Sequence, residues 1–444
     1  APVPLLAYDE SGSPQLVPNL EAYIKAKAGL PKPMPKADLK PETPGVGSVW
    51  EDTQMELYAE KDKPGAATEI DPTTWKVVRK LAAPDIDMNN PHNMWTDKDE
   101  KYLYQTEWFS HWVNVFDMKT FKLIRRFDVG PSPTHVMTRT DNDMLHVALS
   151  GSDGIRELLP GATGLNRRLP TGNPDEPLAL PHAHWMSGDA KWMIAPNQAL
   201  YNASVLDIKK GTFRHEETGE YPIATGMTAD SKKGYYADIL GQSISCIDNA
   251  PDGKDCVADD GTLVHHKEID LWGNYNPLTG PTGGGGFSGL PIQIACAPDN
   301  SGCAVVGIFA TPNVTVFDPK TDKITGYLPC VPGCHGINFG AKKGGGYYAY
   351  VSSKFANIME VLDLDPNGTG HPNDAKLVGR ILLDADSATT TDASISGLSG
   401  MGGQGIIGFP LAYEGWVEHA PHNEINDQLT CKQRHPLTFA KACK

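Results

Sequence analysis

One arrangement of apolar and polar residues recurs along the chain: a strand-like segment, an apolar residue followed by Asp, a short polar turn and a second strand-like segment. The segments are rich in β-branched and aromatic residues, which favour strands. Asp favours a tight turn because its carboxylate accepts hydrogen bonds from backbone N–H groups two residues on. The apolar–Asp pairs are Ile70-Asp71, Phe116-Asp117, Leu206-Asp207, Ile247-Asp248, Phe317-Asp318 and Leu362-Asp363.

Two further strand-like segments joined by a turn precede most of these pairs. They are MWTDKDEKYLYQTEW (94–108), HWMSGDAKWMIAPN (184–197), MTADSKKGYYADIL (227–240) and FGAKKGGGYYAYVSS (339–353). The repeat is regular, because Asp117 follows Asp71 by 46 residues and Asp363 follows Asp318 by 45. Four strands per unit at a repeat of roughly 40–50 residues are typical of a β-propeller.

Seven such units can be counted, and we predict an all-β, seven-bladed β-propeller closed by N- and C-terminal strands. The unit at 133–180 is degenerate, and 249–288 is an insertion. In the last blade, N-terminal strands at 48–58 and 66–82 would pair with C-terminal strands near 404–418, which removes exposed edge strands. The predicted domains are an N-terminal extension, 1–47, packed on the propeller, 48–444.

Composition narrows the class of protein further. The chain of 444 residues contains 45 Gly and 36 Pro, which indicates many turns, and its formal net charge is −15. An acidic chain without a Lys/Arg cluster is a poor nucleic-acid binder. No segment approaches the roughly 18 consecutive apolar residues that span a bilayer, so we predict no membrane insertion.

The cysteines predict an oxidising compartment. All eight fall into close pairs, which suits short-range disulfides, and the sequence starts Ala1-Pro2-Val3, as expected after removal of a signal peptide. We therefore expect an exported protein, periplasmic in a bacterium. The pairs are Cys246/Cys256, Cys296/Cys303, Cys330/Cys334 and Cys431/Cys443.

Histidines lie at the blade entries, which are the segments that lead into the first strand of each blade. His92 and His182 occupy the same position two blades apart, His135 and His335 fall within a residue of it, and His422 repeats the Pro-His-Asn triplet of His92. These entries meet at one mouth of a propeller channel. Imidazole is a common ligand of late transition metals, among which copper binds most tightly. We therefore predict a metal site, against the alternative that each histidine is packed in a turn.

The turns between second and third strands add charged candidates at the same mouth. By alignment Lys61, Glu107 and Asp238 occupy equivalent positions, and Lys354 is one residue off. Asp238 could be a ligand or base and Lys61 could hold an anion, although solvated loop tips would look the same. His184 is predicted to support a ligand. The other histidines are expected at the surface: His111, His146, His215, His265, His266, His371, His419 and His435.

The segment Cys330-Val-Pro-Gly-Cys334-His335 is similar to a haem attachment site. Attachment of c-type haem needs two residues between the cysteines, and here there are three. We therefore predict a disulfide that braces the turn presenting His335.

The blade entries PHNMWTD, SPTHVMTR, PHAHWM and CHGINFG, with PHN near the end, resemble the thiocyanate dehydrogenase family over residues 48–444. These proteins are periplasmic seven-bladed propellers related to the catalytic domain of nitrous oxide reductase. The resemblance implies a cluster of three copper ions and oxidation of thiocyanate to cyanate and elemental sulfur. Histidine ligands would map to His92, His135, His182, His335 and His422, and an aspartate ligand to Asp238.

Catalytic roles follow less directly from the resemblance. Lys61 matches by blade position, and the catalytic glutamate could be Glu107 or Glu217; we favour Glu107. The electrons would pass to an external acceptor such as a cytochrome c, and a homodimer remains open. The alternatives are a non-catalytic copper- or ligand-binding propeller, a haem propeller, and a nitrous-oxide-reductase-like enzyme acting on another small molecule.

Overall fold

The fold is described by a computed structural model. The described residues are 37–55, 65–81, 83, 86–271, 275–276, 280–281, 290–308, 313–331, 333–354, 356, 358–383, 401–410, 412–413, 416–417 and 427–444, with the strands Leu5–Tyr8 and Pro14–Val17. Seven four-stranded antiparallel sheets form a seven-bladed β-propeller, and helix is nearly absent from these residues. The predicted fold class is confirmed.

Six blades are each built from four strands in chain order, and in blade 4 the short pair Cys256–Val257 and Leu263–Val264 precedes the last strand. Blade 1 is Pro91–Thr96, Tyr102–Glu107, Trp112–Asp117 and Lys122–Asp128. Blade 2 is Pro133–Thr138, Leu145–Leu149, Ile155–Leu158 and Leu165–Leu169. Blade 3 is Trp185–Met186, Trp192–Asn197, Asn202–Asp207 and Thr212–Glu217.

The remaining three of these blades follow the same order. Blade 4 is Pro222–Met227, Lys233–Asp238, Ser243–Asp248 and His266–Asp270. Blade 5 is Pro291–Cys296, Cys303–Gly307, Asn313–Asp318 and Lys323–Pro329. Blade 6 is Cys334–Ala341, Tyr347–Ser353, Ile358–Asp363 and Lys376–Leu382.

The seventh, closing blade joins the two ends of the chain. The C-terminal strand Met401–Phe409 pairs with Ser48–Met55, and two further N-terminal strands complete the sheet. Those two strands are Ala66–Asp71 and Lys76–Leu81. The ring is therefore closed by backbone hydrogen bonds between residues more than 350 positions apart, such as Ser48 and Phe409, as the sequence predicted.

Short elements complete the described structure. Two-stranded pairs join Leu5–Tyr8 to Pro14–Val17, Cys256–Val257 to Leu263–Val264, Tyr275–Asn276 to Gly280–Pro281 and Ala412–Tyr413 to Trp416–Val417. A 3-10 turn covers Pro160–Ala162, and the helices are α1, Cys431–Arg434, and α2, Phe439–Ala442. None of the helices in the described part of the chain has the length and apolar character needed to span a bilayer.

The repeated Asp residues begin the turns as predicted. The Asp117 carboxylate accepts hydrogen bonds from the backbone N–H groups of Lys119 and Thr120, at 3.1 and 2.7 Å. Asp207 accepts from the N–H of Lys210 at 3.0 Å. Each bond satisfies a turn donor that the strands leave unpaired, which explains why the same residue type recurs in successive blades.

Burial decreases from the axis outward. All six residues of the first strand of blade 1 are buried, whereas its last strand, Lys122–Asp128, is partly or fully exposed. First strands of neighbouring blades contact each other around the axis. A side chain near the start of a first strand is therefore brought close to its counterparts in other blades.

All four predicted cysteine pairs are disulfides. They are Cys246–Cys256, Cys296–Cys303, Cys330–Cys334 and Cys431–Cys443. Four short-range disulfides indicate an oxidising environment such as that of exported proteins.

The closing blade buries two adjacent carboxyl groups. Gln105 donates to Asp52 Oδ1 at 2.7 Å and the Gly403 N–H donates to Glu51 Oε1 at 2.7 Å, while Glu51 Oε2 and Asp52 Oδ2 have no hydrogen-bond partner. Burial raises the pKa of both carboxyl groups well above the ordinary range. The folded state therefore keeps these protons at pH values where the unfolded chain has lost them.

These two carboxyl groups are expected to contribute stability at low pH that is lost as the pH rises above the ordinary carboxyl range, because the unfolded state releases its protons first. Asp52→Asn removes one such group and should therefore raise Tm relative to wild type more at about pH 8 than at about pH 5; each unit of pKa difference between the folded and unfolded states corresponds to about 1.4 kcal/mol of unfolding free energy. Thermal unfolding across this pH range measures the effect. Asp99→Asn, at an exposed position, is the control, and a pH-independent effect of Asp52→Asn would contradict the assignment.

Candidate metal centre at the mouth of the channel

Four predicted histidines lie where the first strands of their blades begin. In blades 1, 3 and 6, His92, His182 and His335 each follow directly the first residue that pairs with the second strand. His135 lies two residues after its counterpart, Pro133. The four positions belong to blades 1, 2, 3 and 6, of which blades 1 and 6 adjoin the closing blade.

A shift in strand pairing accompanies three of the histidines. The register changes between Pro91 and Met94, between Pro133 and Val136, and between Cys334 and Ile337. Each interval leaves two residues out of the regular ladder, and the histidine is one of them. Such bulges bend a strand and change the direction of a side chain. These imidazoles therefore need not follow the alternation of side chains between the two faces of the sheet.

The four imidazole rings form one cluster around His92. The ring centroid of His92 lies 4.9 Å from that of His182, 5.2 Å from His135 and 5.9 Å from His335. The centroids of His135 and His182 are 6.0 Å apart. No member is more than 5% exposed. Residues that are far apart in the sequence therefore share one buried polar site.

Several ring nitrogens in this cluster lack hydrogen-bond partners. Both nitrogens of His92 and the Nδ1 atoms of His182 and His335 are buried and unpaired. Ligand atoms of His92, His135 and His182 lie within 4.8 Å of one another. An unsatisfied buried polar group costs about 1–3 kcal/mol. Several such groups gathered in one buried site are unfavourable unless something binds there.

The electrostatics keep these imidazoles neutral. Burial lowers the pKa of each ring, to about 3 for His182 and well below the ordinary value for His92, His135 and His335. Neighbouring imidazoles lower the pKa of His92, His135 and His335 further. Neutral imidazole is the form that binds a metal ion.

A lysine and a tryptophan border the cluster. Lys354 Nζ lies 5.3 Å from the ring centroid of Trp108, and that ring lies 4.9 Å from His92 and 5.4 Å from His182. Burial lowers the pKa of Lys354, and the positive charge of Lys354 contributes to the lowered pKa of His92, His182 and His335. The site therefore combines neutral imidazoles, which could hold a metal ion, with the cationic side chain of Lys354, which could attract an anion.

Amide side chains occupy the flank of the site next to the closing blade. Asn90 Oδ1 accepts from Gln404 Nε2 at 2.7 Å and from Gln54 Nε2 at 2.5 Å. The backbone of Gln404 also interacts with His335, and its carbonyl oxygen accepts from Ser352 Oγ at 2.9 Å. The sequence does not single out these amides, because amides in strands and turns carry no distinctive spacing.

The predicted carboxylates lie in other surroundings. Glu107 forms an ion pair with Arg126 at 2.8 Å and accepts from the Asn89 N–H at 3.3 Å. Asp238 Oδ2 accepts from Ser245 and Ser243 at 2.8 and 3.1 Å, its Oδ1 has no partner, and burial raises its pKa to about 7. The group of ligand atoms found around His92 in the described residues includes neither carboxylate.

The remaining candidates are placed as follows. Lys61 and His422 lie outside the described residues, and Glu217 is exposed at the end of the last strand of blade 3. The assignment of His146 to the surface was wrong: it is fully buried, because it belongs to the second strand of blade 2, whose residues are all buried. His184 is fully buried as well.

Gly336 lets the closing blade approach His335. A Cβ atom at this position would lie 1.7 Å from the carbonyl oxygen of Gln404 and 2.9 Å from Ser352 Oγ. Gly336→Ala is therefore expected to separate the two strands and to destabilise the fold by about 1–3 kcal/mol, as overpacking does. Chemical denaturation measures this loss. Gly326→Ala, where a Cβ meets nothing within 4 Å, should change stability far less, and equal effects would contradict the contact.

Comparisons with known proteins bear on the fold. No family model matches the chain, and no curated protein matches its sequence. A protein of unknown function from Desulfotomaculum acetoxidans is similar in structure, with a TM-score of 0.54, 12% identity, and coverage of 84% of this chain and 99% of the other. A Bacteroides uniformis protein described as a 6-phosphogluconolactonase has a TM-score of 0.51 and 16% identity, covering 76% and 97%.

Virginiamycin B lyase from Staphylococcus aureus is more distant, with a TM-score of 0.48, 13% identity, and coverage of 66% of this chain and 85% of the lyase. Proteins named as enzymes are thus among the structural neighbours. At these identities the likeness concerns the propeller fold alone, so any function has to be argued from the site.

Proposed function

We propose that the protein is a periplasmic, copper-dependent oxidoreductase that oxidises thiocyanate with water to cyanate and elemental sulfur. The observation that carries this proposal is the cluster of four buried, neutral imidazoles around His92, with unpaired nitrogens and Lys354 beside it. A metal would satisfy the nitrogens, and the lysine would attract an anion. The choice of thiocyanate as the substrate rests on the resemblance of the blade entries to those of thiocyanate dehydrogenases.

The spacing of the imidazoles fits a shared metal ion. With a metal–nitrogen distance of about 2.0 Å, two rings on one ion have centroids about 5 Å apart in a tetrahedral arrangement and about 6.3 Å apart in a linear one. The separations among His92, His135 and His182 are 4.9, 5.2 and 6.0 Å. These three residues would hold one ion, and His335 would serve a neighbouring ion of the multinuclear cluster that the resemblance implies.

Copper ions would accept one electron each and act as Lewis acids toward substrate and water. The overall reaction is SCN⁻ + H₂O → OCN⁻ + S + 2H⁺ + 2e⁻. The Lys354 ammonium would bind the linear anion and offset its negative charge, and the Trp108 ring would form one wall of the pocket. Burial of the four histidines would limit water near the reacting atoms and strengthen these electrostatic contacts.

The electrons require an external acceptor, and we propose a basic redox protein such as a cytochrome c. The net charge of −15 would attract a basic partner. Phe109, which is 61% exposed, lies 5.0 Å from Trp108, and Trp108 lies 4.9 Å from His92, between centroids. This aromatic pair would provide a short route from the site to the surface.

Raising the salt concentration is expected to slow reduction of a basic cytochrome c more than reduction of a small neutral dye, because screening weakens long-range attraction. Phe109→Ala should likewise affect the cytochrome reaction more than the dye reaction. Stopped-flow absorbance measures both rates. Leu263→Ala, also at an exposed apolar residue, is the control, and a salt-independent cytochrome rate would remove the electrostatic part of the proposal.

The deciding test combines metal analysis with turnover. The protein is loaded with copper under oxidising conditions, its metal content is measured by plasma mass spectrometry, and thiocyanate-dependent dye reduction is followed with cyanate as the product. Two to three copper ions per chain with thiocyanate turnover would support the proposal. Copper without turnover would favour a copper-binding propeller or another small substrate, and no copper would overturn the metal site.

A further inference from the structure

A second pair of buried imidazoles lies beside the cluster around His92. His146 and His184 are both fully buried, and their ring centroids are 6.5 Å apart. Both nitrogens of His184 and Nδ1 of His146 have no hydrogen-bond partner. The proposed function uses neither residue, so these unpaired groups need a separate explanation.

Glu157 fixes the hydrogen position on His146. His146 Nε2 lies 2.7 Å from Glu157 Oε2, and the carboxylate is held by Arg167 at 2.7 Å and by Arg139 at 3.3 Å. An ionised carboxylate only accepts hydrogen bonds, so Nε2 carries the hydrogen and Nδ1 presents its lone pair. A histidine that ligates a metal ion commonly donates its other N–H to a carboxylate in this way.

We infer that His146 and His184 form a second metal site that takes a soft monovalent ion, Cu(I) or its analogue Ag(I). Two neutral nitrogen donors in a fully buried place suit an ion of low charge that accepts two ligands. The centroid separation of 6.5 Å is close to the roughly 6.3 Å expected for two imidazoles on opposite sides of one ion at about 2.0 Å each. Zinc, which prefers four ligands, fits less well.

The negative charge of Glu157 would compensate part of the charge of the ion through His146. Arg139 and Arg167 keep the carboxylate in position, and Asn166 Nδ2 donates to it at 2.7 Å. The arrangement places a supporting group behind one ligand, which is the usual organisation of a metal site. The inference does not depend on the proposed function, because it uses separate residues and is tested without thiocyanate turnover.

Anaerobic titration with Cu(I), in competition with a chromophoric Cu(I) chelator, tests this site in the whole protein. His146→Leu and His184→Leu should each lose one tightly bound ion relative to wild type, and the double variant should lose the same single ion. His111→Leu, at an exposed histidine, should lose none. The inference would be overturned if His146→Leu bound as many Cu(I) ions as wild type, or if the double variant lost two ions.

Two further measurements keep the test decisive if a leucine variant folds poorly. Glu157→Gln is expected to weaken Cu(I) binding at this site about 10–100-fold, as loss of a supporting residue does, and unchanged affinity would contradict the role of Glu157. Cu(II) loading and thiocyanate turnover of the wild type report on the cluster around His92. If the wild type shows neither Cu(II) loading nor thiocyanate turnover while His146→Leu still loses one Cu(I) ion, the proposed function fails and this inference stands.

Discussion

Replacing His92 with alanine is expected to remove copper and thiocyanate turnover together. His92 is the common neighbour of His135, His182 and His335, and neither of its ring nitrogens has another partner. Loss of a residue that only supports a ligand costs 10–100-fold in metal affinity or activity, so loss of a ligand should cost at least about 100-fold. Copper content and dye reduction measured on one preparation test this expectation.

The same position offers a control on stability. In the metal-free protein, His92→Leu should unfold at a temperature equal to or higher than that of wild type, because the change removes two unpaired buried nitrogens that cost about 1–3 kcal/mol. If His92 served only to pack the core, its replacement would remove packing contacts and lower Tm. His111→Ala, at an exposed histidine, should preserve copper, turnover and stability, and a copper content unchanged by His92→Ala would contradict the ligand assignment.

Lys354→Met is expected to lower kcat/KM for thiocyanate by about 10²–10³-fold while leaving copper content unchanged. The lysine lies at the edge of the histidine cluster over Trp108, where a preorganised positive charge acts with little screening. Removal of one such electrostatic group typically costs a factor of this size. Methionine keeps most of the length and apolar contact of the side chain, so packing changes little.

Two comparisons make the Lys354 result specific. Lys343→Met, at an exposed position of the same blade, should have no effect, and Lys354→Arg should recover part of the activity because it keeps the charge. The resemblance to the family assigns a lysine role to Lys61, so Lys61→Met belongs in the same assay. Turnover lost only in Lys61→Met would transfer the anion-binding role to Lys61, and joint loss of copper in Lys354→Met would indicate a structural role.

The fold could be predicted because each blade repeats the same local sequence pattern. Asp residues start the turns after third strands, as Asp117 and Asp207 do, and apolar strands of similar length separate them. Closure also followed from the sequence, since an incomplete N-terminal unit required a fourth strand, and Met401–Phe409 provides it. A repeated pattern specifies the same structure several times, so a single degenerate blade does not obscure it.

The candidate site could be predicted only in part. Position within the blade was enough to select His92, His135, His182 and His335, because the first strands of a propeller meet at its axis. It was not enough for His146, whose burial depends on blade packing, nor for Asn90 and Gln404, which come together across the closing blade. Contacts between blades depend on side-chain direction as well as on spacing.

The sequence by itself determined the blades, their closure, the disulfide pairs and the blade entries that carry histidines. The tertiary structure decided which charged residue lies at the histidine cluster. Glu107 pairs with the first residue of its blade, and Ser353 pairs with the equivalent residue of blade 6, so Lys354 corresponds to Trp108 and not to Glu107. Glu107, the last residue of its strand, pairs with Arg126, whereas Lys354 lies just beyond its strand and reaches the ring of Trp108 at the histidine cluster. Contacts beyond the end of a strand depend on how the blades pack, which the strand pattern alone does not specify.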